Sequence, residues 1–482
     1  MIQIKQTKPL YDNDIRVMLQ AFYPEEKIVC IQEDTPWDLQ AIFYFELALD
    51  EDGARIMLTE PSGEKMQTFV ACHYQDKKEA KNPIKLGMYE LLSKREGREL
   101  PWGSLTGIRP TKVATALLEE GCQKEEVEAY YQKTFAASEG KARICYEVAT
   151  KEQTIIRSVD QTNQYCLYIG IPFCLTRCLY CSFTSYPIAQ YSEKVQAYLE
   201  ALAKELAFVA EEKKDKQLIA IYMGGGTPTS LSAKQLDWLL TKVEEYFDVS
   251  YLRELTIEAG RPDSVTPEKF QAMKQHNVTR ISINPQTMND ETLRLIGRAH
   301  TSAMTREAFE MARKEGFTNI NMDMIVGLPG ETIEDVMHTL AQLAEMEPES
   351  ITVHSLAIKR AARLNEQMEQ YKALVHGSTN EMLDAVEKTA KSLNMMPYYL
   401  YRQKNIPGNL ENVGYAKNGA ECIYNVLIME EILDIIAVGA GGSTKLTYPE
   451  EHRIERVETV KSVDDYIERI DEMIDRKRKA WS

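Results

Sequence analysis

The chain has 482 residues, with 73 acidic against 57 basic side chains, a formal net charge of −16 and 44% hydrophobic residues. That length and apolar content suffice for two or three domains; no run nears the ~18 uninterrupted apolar residues of a membrane span, and the acidic balance excludes a general nucleic-acid binder. Cys30, Cys72, Cys122, Cys145, Cys166 and Cys422 are scattered without a disulfide-like framework, and the start Met1-Ile-Gln-Ile-Lys-Gln lacks a signal peptide's apolar core, so a cytoplasmic protein with free thiols is expected.

Residues 1–150 read as an N-terminal α+β module. Apolar and polar residues alternate from Ala41 to Pro61 around Asp52-Gly53, a hairpin signal, and a helix is predicted from Lys85 to Ser93. Leu100-Pro-Trp-Gly-Ser-Leu-Thr-Gly-Ile-Arg-Pro110 is a loop punctuated by Gly and Pro, leading into a helical Thr111 to Glu120. Trp102 and Arg109 suit either a substrate entrance or a capping loop around a packed tryptophan.

From 160 to 370 strand-like runs alternate with amphipathic stretches. The predicted strands are Cys166–Ile171, Leu218–Met223, Leu255–Glu258, Arg280–Asn284, Ile320–Val326 and Ile351–Leu356. The predicted helices are Glu193–Glu211, Ala233–Tyr246, Pro267–His276, Ala303–Glu315 and Ile333–Ala344. Repeated βα units of this kind imply right-handed crossovers, a parallel sheet and a partial (β/α)6 barrel, in which chemistry gathers at the C-terminal ends of strands.

At the end of the first strand stands Cys174-Leu-Thr-Arg-Cys178-Leu-Tyr-Cys181. Three thiolates on one short loop can hold three irons of a cubane cluster and leave the fourth open to a small molecule. A closed zinc site is the competing reading; it would need a fourth ligand, with Cys166 or a distant histidine as candidates. Gly224-Gly-Gly-Thr-Pro228 follows the second strand, and residues without Cβ let backbone groups approach a ligand closely. Glu258 ends the third strand, Gln286 follows the fourth and Asp323 lies in the fifth.

The region 375–482 reads as a C-terminal α+β domain. It has a helical Asn380 to Leu393, then Tyr398-Tyr-Leu-Tyr-Arg402-Gln-Lys404, the turn Val438-Gly-Ala-Gly-Gly-Ser443 and an amphipathic helix from Val460 to Arg478. Aromatic residues interleaved with Arg402 and Lys404 suit either a flat ligand with carboxylates at its rim or a half-buried strand with snorkelling cations. The run Arg476, Lys477, Arg478, Lys479 is read as a solvated helix end.

The cysteine triplet followed by the glycine run resembles the radical S-adenosylmethionine superfamily. Leu167-Tyr-Ile-Gly-Ile-Pro-Phe-Cys174, Arg280-Ile-Ser-Ile-Asn-Pro-Gln286, Gly297-Arg-Ala-His300 and Asp323-Met-Ile-Val-Gly-Leu-Pro-Gly330 narrow the likeness to its oxygen-independent coproporphyrinogen III oxidase branch. The long N-terminal module with Trp102 to Pro110 is similar to the HemZ-type, coproporphyrinogen dehydrogenase-like subgroup. The resemblance implies a 4Fe-4S cluster on Cys174, Cys178 and Cys181, with S-adenosyl-L-methionine on the open iron as source of a hydrogen-abstracting 5'-deoxyadenosyl radical. It places Tyr168 beside the cluster, puts Gly225, Gly226 and Thr227 on the methionyl part, and sets Glu258, Gln286, Arg298 and Asp323 on the carboxylate, ribose or neighbouring groups.

It also implies a tetrapyrrole substrate, held by cations such as Arg402, Lys404, Lys359, Arg360 and Arg363, with Tyr168 and Arg402 as the catalytic candidates. A low-potential electron donor such as flavodoxin or ferredoxin is expected, and a monomer. Three positions depart from the relatives: Gly170 stands where the established oxidases have His, Phe183 where they have a fourth Cys, and Tyr424-Asn425 where related haem chaperones have His-Asn. Without that His, the histidines left as axial haem ligands are His300, His354, His376 and His452. The implied activity is oxidative decarboxylation of coproporphyrinogen III to protoporphyrinogen IX in haem biosynthesis, the alternatives being a haem-binding chaperone and a radical methyltransferase or other haem-modifying enzyme.

Overall fold

The alternation from Phe43 to Thr59 folds as the expected hairpin, Asp50 pairing with Gly53 across the turn. The computed structural model describes residues 1–357, 362–367, 371, 373–374, 377, 379–403, 409–448, 451 and 453–481. Lys359, Arg360, His376, Lys404 and His452, named above as candidate cations or axial ligands, lie outside the described residues. The chain divides into two compact units rather than three: Met1–Thr150 with Gly377–Asn380 and Leu400–Asn412, and Lys151–His376 with Glu381–Tyr399 and Val413–Ser482.

In the first unit, β1 (Ile2–Gln6), β2 (Ile28–Cys30), β3 (Phe43–Asp50), β4 (Gly53–Thr59) and β5 (Lys65–Ala71) form a sheet in the order β2-β1-β3-β4-β5. Helices Asp12–Phe22 and Lys77–Glu96 bury Ile15, Leu19, Ile84 and Met88 with Ile4 and Phe45 of the sheet in one core. The second helix begins about two turns before the expected Lys85. Asp76 caps it by accepting from the Lys78 and Glu79 N–H groups, and that start carries it through Pro83 to a left-handed Gly97 at φ 62°.

The loop from Leu100 to Pro110 is packed. Trp102 is fully buried and donates to Glu411 at 2.7 Å, whose other oxygen accepts from Lys141 at 2.6 Å. Arg402, expected to grip substrate carboxylates, is 3% exposed and lies over the Trp102 ring, 4.9 Å from its centroid. Its Nη1 donates to the Leu105 carbonyl at 2.7 Å and its Nε to that of Gly107 at 2.9 Å, with Nη2 on the same Gly107 oxygen. The expected role is corrected accordingly: the loop's own carbonyls occupy the guanidinium. Burial pushes its pKa down to about 10.

In the second unit, the further strands are β6 (Gln164–Ile171), β7 (Phe173–Cys174), β8 (Tyr186–Pro187), β9 (Gln217–Gly225), β10 (Glu254–Glu258), β11 (Arg280–Ser282), β12 (Ile320–Val326) and β13 (Ser350–Ser355). They are followed in the chain by β14 (Met396–Arg402), β15 (Glu411–Ala416), β16 (Asp434–Val438), β17 (Ser443–Tyr448) and β18 (Arg453–Glu458). The large sheet runs β14-β15-β13-β12-β11-β10-β9-β6-β16-β17-β18. Within it β6 and β9 to β13 pair in parallel and in chain order, which is the open, partial barrel of six strands expected from the sequence.

The C-terminal region completes this sheet instead of folding apart. β16 pairs in parallel with β6 and β15 runs antiparallel to β13, so each outer barrel strand gains a neighbour from beyond residue 400. The expected terminal helix is two helices, Val463–Glu468 and Ile470–Trp481, the first closed at Arg469. Lys477 corrects the reading of a solvated basic run: it falls on the inner face with Ile470, Met473 and Ile474, and is fully buried in an ion pair with Glu205 at 2.6 Å. Among the described residues no helix is long and apolar enough to cross a membrane.

Arg402→Ala removes a buried cation and leaves the Leu105 and Gly107 carbonyls without their donor, so it should cost roughly 3 kcal/mol. Chemical denaturation followed by Trp102 fluorescence should show the loss, whereas Arg453→Ala on the surface should leave the midpoint unchanged.

Candidate active site

Parallel strands covered by helices are usually apolar on both faces. Here, in β10 to β13, one face carries polar residues at alternate positions where the strands pair. Thr256 and Glu258 of β10 lie in register with Arg280 and Ser282 of β11, Ser282 with Asn321 of β12, and Asn321 and Asp323 with Ser350 and Thr352 of β13. The alternate residues Leu255, Ile257, Ile281, Met322, Ile351 and Val353 are buried apolar side chains. The polar set is hydrogen-bonded: Asn321 accepts from the Ser350 and Thr352 hydroxyls at 2.9 and 3.1 Å and donates to Asp323 at 2.6 Å, while Arg280 donates to Ser350 at 3.2 Å. A buried polar column of this kind marks the face on which a ligand is handled.

At the C-terminal end of β6 the cysteine loop leaves the sheet, and the glycine segment after β9 is bonded to it. Gly226 N–H donates to the Ile171 carbonyl at 2.8 Å, Thr227 N–H to that of Phe173 at 2.7 Å, and the Thr227 hydroxyl to the Cys174 sulfur at 3.4 Å. A Cβ on Gly226 would sit 2.6 Å from both carbonyl oxygens, and one on Gly225, at φ 97°, would sit 2.8 Å from the Tyr168 hydroxyl. These two glycines are therefore demanded by close approach. Farther along, Leu179 N–H donates to Ile296 and its carbonyl accepts from Leu364, at 2.9 and 2.8 Å, and its side chain joins a buried cluster with Leu293, Ile296, Ile325, Leu328, Leu356 and Leu364.

Burial pushes the Cys174 thiol up to about 11, against the lowering effect of the Thr227 bond, and burial also raises Cys181. Such thiols ionise when a metal displaces their protons. Among the described residues no three His, Cys, Asp or Glu side chains converge closely enough for a single metal ion. A cubane instead takes its ligands on separate irons, and three thiols spaced along one loop fit that demand.

Beside the glycines stand three stacked rings. Tyr168 and Tyr222 have centroids 6.3 Å apart, and Tyr222 and Tyr424 4.9 Å. The Tyr222 hydroxyl donates to Glu258 at 2.6 Å. Burial pushes the Glu258 carboxyl up to about 7, partly offset by that bond. Gln286 adopts φ 67°, a left-handed conformation costing a non-glycine residue about 1 kcal/mol. Its backbone is fixed in that turn, donating to Asp323 and accepting from Ile325, while its buried side-chain oxygen has no partner among the described residues. Strain and an orphaned acceptor at one residue suit a ligand that supplies the missing donor.

The structure thus brings Tyr168, Gly225, Thr227 and Glu258 around the head of the cysteine loop, with the backbone of Gln286, in the turn after β11, bonded to that of Asp323 in β12. Arg298 lies against the loop from another side, its Nη1 donating to the Asn284 and Gly260 carbonyls at 2.5 and 3.3 Å. Sequence reasoning missed Tyr222 and the Asn321 network, although the period-two polar pattern within the strands was there to be read. Gly170 has a steric reason: its Cβ would lie 3.2 Å from the Val438 carbonyl, and its own oxygen already accepts from Tyr198 at 2.7 Å. Phe183 is 65% exposed.

Comparison with known proteins bears on the family and the fold. A model of the radical SAM superfamily, whose members use a 4Fe-4S cluster and S-adenosylmethionine, matches residues 168–343. The oxygen-independent coproporphyrinogen-III oxidase-like protein HemZ of Bacillus subtilis is 39% identical over 406 residues, covering 83% of this chain and 81% of its own. The heme chaperone HemW of Haemophilus influenzae is 32% identical over 288 residues, covering 59% of this chain and 70% of its own. Among solved structures, coproporphyrinogen III oxidase (HemN) from Escherichia coli shares the fold at a TM-score of 0.52 and 22% identity, over 67% of this chain and 72% of that one.

Two outcomes are expected. Cys174→Ala, Cys178→Ala and Cys181→Ala should each abolish iron uptake on anaerobic reconstitution, and Cys166→Ala should not. Because Glu258 titrates near 7 when folded and near 4.5 when unfolded, its ionisation opposes folding increasingly from pH 4.5 to 7 and by a constant amount above. Glu258→Gln should therefore raise the melting temperature of the cluster-free protein relative to the parent at pH 8, with the gain vanishing toward pH 4.5.

Proposed function

Because the chain belongs to the HemZ family of oxygen-independent coproporphyrinogen-III oxidase-like radical SAM proteins, we propose that it oxidatively decarboxylates coproporphyrinogen III to protoporphyrinogen IX in haem biosynthesis. The observation that carries this reading is the pairing of a three-thiol loop with a strained, polar, glycine-lined cradle at the C-terminal ends of the barrel strands. When bound, the cluster and its cosubstrate supply a carbon radical able to take a hydrogen atom from an unactivated C–H bond.

The chain's own residues then have defined tasks. Cys174, Cys178 and Cys181 ligate the cluster. Backbone groups of Gly225 and Gly226, with Thr227, hold the methionyl part of the cosubstrate; Gln286 and Asp323 engage its hydroxyl and ammonium groups. Glu258, poised near neutrality and bonded to Tyr222, accepts or releases a proton at its carboxylate as the cosubstrate enters. Tyr168, stacked on Tyr222, excludes water from that side. A tetrapyrrole propionate that loses a hydrogen atom must also give up one electron to release CO2 and leave a vinyl group, so an electron acceptor is required together with a low-potential donor.

A haem-chaperone reading is supported by the HemW likeness. Against it, Tyr424, which stands where the resemblance places the chaperone histidine, is buried in the ring stack. The proteins are separated by anaerobic incubation of the reconstituted chain with coproporphyrinogen III, S-adenosylmethionine and a low-potential reductant. Mass spectrometry should show two successive losses of CO2 with two hydrogens; 5'-deoxyadenosine accumulating beside unchanged tetrapyrrole would reject decarboxylation, and stoichiometric transfer of bound haem to an apo-acceptor would establish the chaperone.

A further inference from the structure

Two buried arginines support the cysteine loop, in unlike electrostatic surroundings. Arg261, 2% exposed, donates Nε and Nη2 to Asp263 at 2.9 and 2.7 Å and Nη1 to the Thr176 hydroxyl at 2.9 Å. Its charge is matched by a carboxylate. Arg298, 7% exposed, donates to the carbonyls of Asn284 and Gly260 and lies beside the Tyr180 hydroxyl and the Cys178 thiol; among the described residues its Nε is buried without an acceptor and no ion pair joins it to a carboxylate. His300 adds no second positive charge, since burial and then the Arg298 charge push its pKa down to about 3.

An unmatched buried cation is costly, and such a group persists where an anion arrives to meet it. The turn that carries Arg298 is bonded directly to the cysteine loop. Leu179 N–H donates to the Ile296 carbonyl and the Thr176 hydroxyl to that of Gly297, both at 2.9 Å. Between these two anchors lies Cys178, 8% exposed, with its thiol beside the guanidinium.

We propose that Arg298 is the counter-ion of the thiolate-ligated cluster, donating from its guanidinium to the Cys178 sulfur and raising the cluster's reduction potential. A cluster held by thiolates is an anion and gains a further negative charge on reduction. A cation fixed beside it in a low-dielectric interior therefore favours the reduced form. Arg261, neutralised by Asp263, contributes hydrogen bonds to the loop with little net field. This role of Arg298 goes beyond the cosubstrate contact expected from the sequence, and it rests on the cluster reading above.

The test uses the reconstituted full chain and its Arg298→Gln and Arg298→Lys variants, with iron counted and the midpoint potential titrated by electron paramagnetic resonance in the absence of S-adenosylmethionine. The Gln variant should titrate at a lower potential than the parent, and the Lys variant should lie between them. Equal potentials in parent and Gln variant would overturn the proposal and leave Arg298 as a cosubstrate contact or a brace for carbonyls. Should the Gln variant keep its circular dichroism but take up no cluster, the Lys variant decides: restored uptake supports the charge, and loss in both overturns it. A parent protein that takes up no iron would instead reject the cluster reading itself.

Discussion

Three thiols have to be kept at fixed separation on one loop while the space in front of them stays open. Local sequence cannot do this, because the seven residues from Leu175 to Cys181 have no regular structure of their own between the short β7 and β8. The loop is instead held at three points: its entry is zipped to Gly226 and Thr227, its centre hangs from Ile296 and Gly297, and Leu179 is sunk in an apolar cluster. The first two belong to the connections after β9 and β11, and the Leu179 cluster adds residues of β12 and of the segments that follow β12 and β13. The order of six parallel strands is therefore the condition for the site, since only that order brings these connections to one end.

The same barrel bears a cost. Thr256, Arg280, Ser282, Asn321 and Thr352 are nearly inaccessible, on a face that apolar residues would fill more favourably. The Asn321 network satisfies part of this set, while the Thr256 and Ser282 hydroxyls, the Arg280 Nε and the Gln286 side-chain oxygen have no hydrogen-bond partners among the described residues. Unmet polar groups gathered next to a strained Gln286 and a carboxyl raised toward neutrality are the features of a surface preorganised for a polar ligand.

What was legible in the sequence was what short-range pattern determines. β12 begins at Ile320 and ends at Val326, and the helix Ala233–Tyr246 has the limits its periodicity predicts, with Ser232 as its cap. The cysteine spacing and the glycine run speak for themselves because they need neighbours only a few residues away. Long-range pairing was not legible. No local signal says that Asp434–Val438 slips in beside β6, which is why the C-terminal region looked like a separate domain. Charged side chains misled for the same reason: Arg402 and Lys477 carry surface-like patterns, yet distant carbonyls and a distant carboxylate bury them. The polar column was present in the sequences of β10 to β13, but it is visible only once strands are set in register.

The central claim is that the loop of Cys174, Cys178 and Cys181 carries a cubane with one iron left for S-adenosylmethionine. Mössbauer spectroscopy of the anaerobically reconstituted, iron-57-loaded protein tests it most directly. The account predicts a cluster of four irons to which S-adenosylmethionine adds a change at one iron only, seen as a distinct quadrupole doublet. A spectrum indifferent to S-adenosylmethionine, or a loop that takes up zinc in place of the cluster, would contradict it.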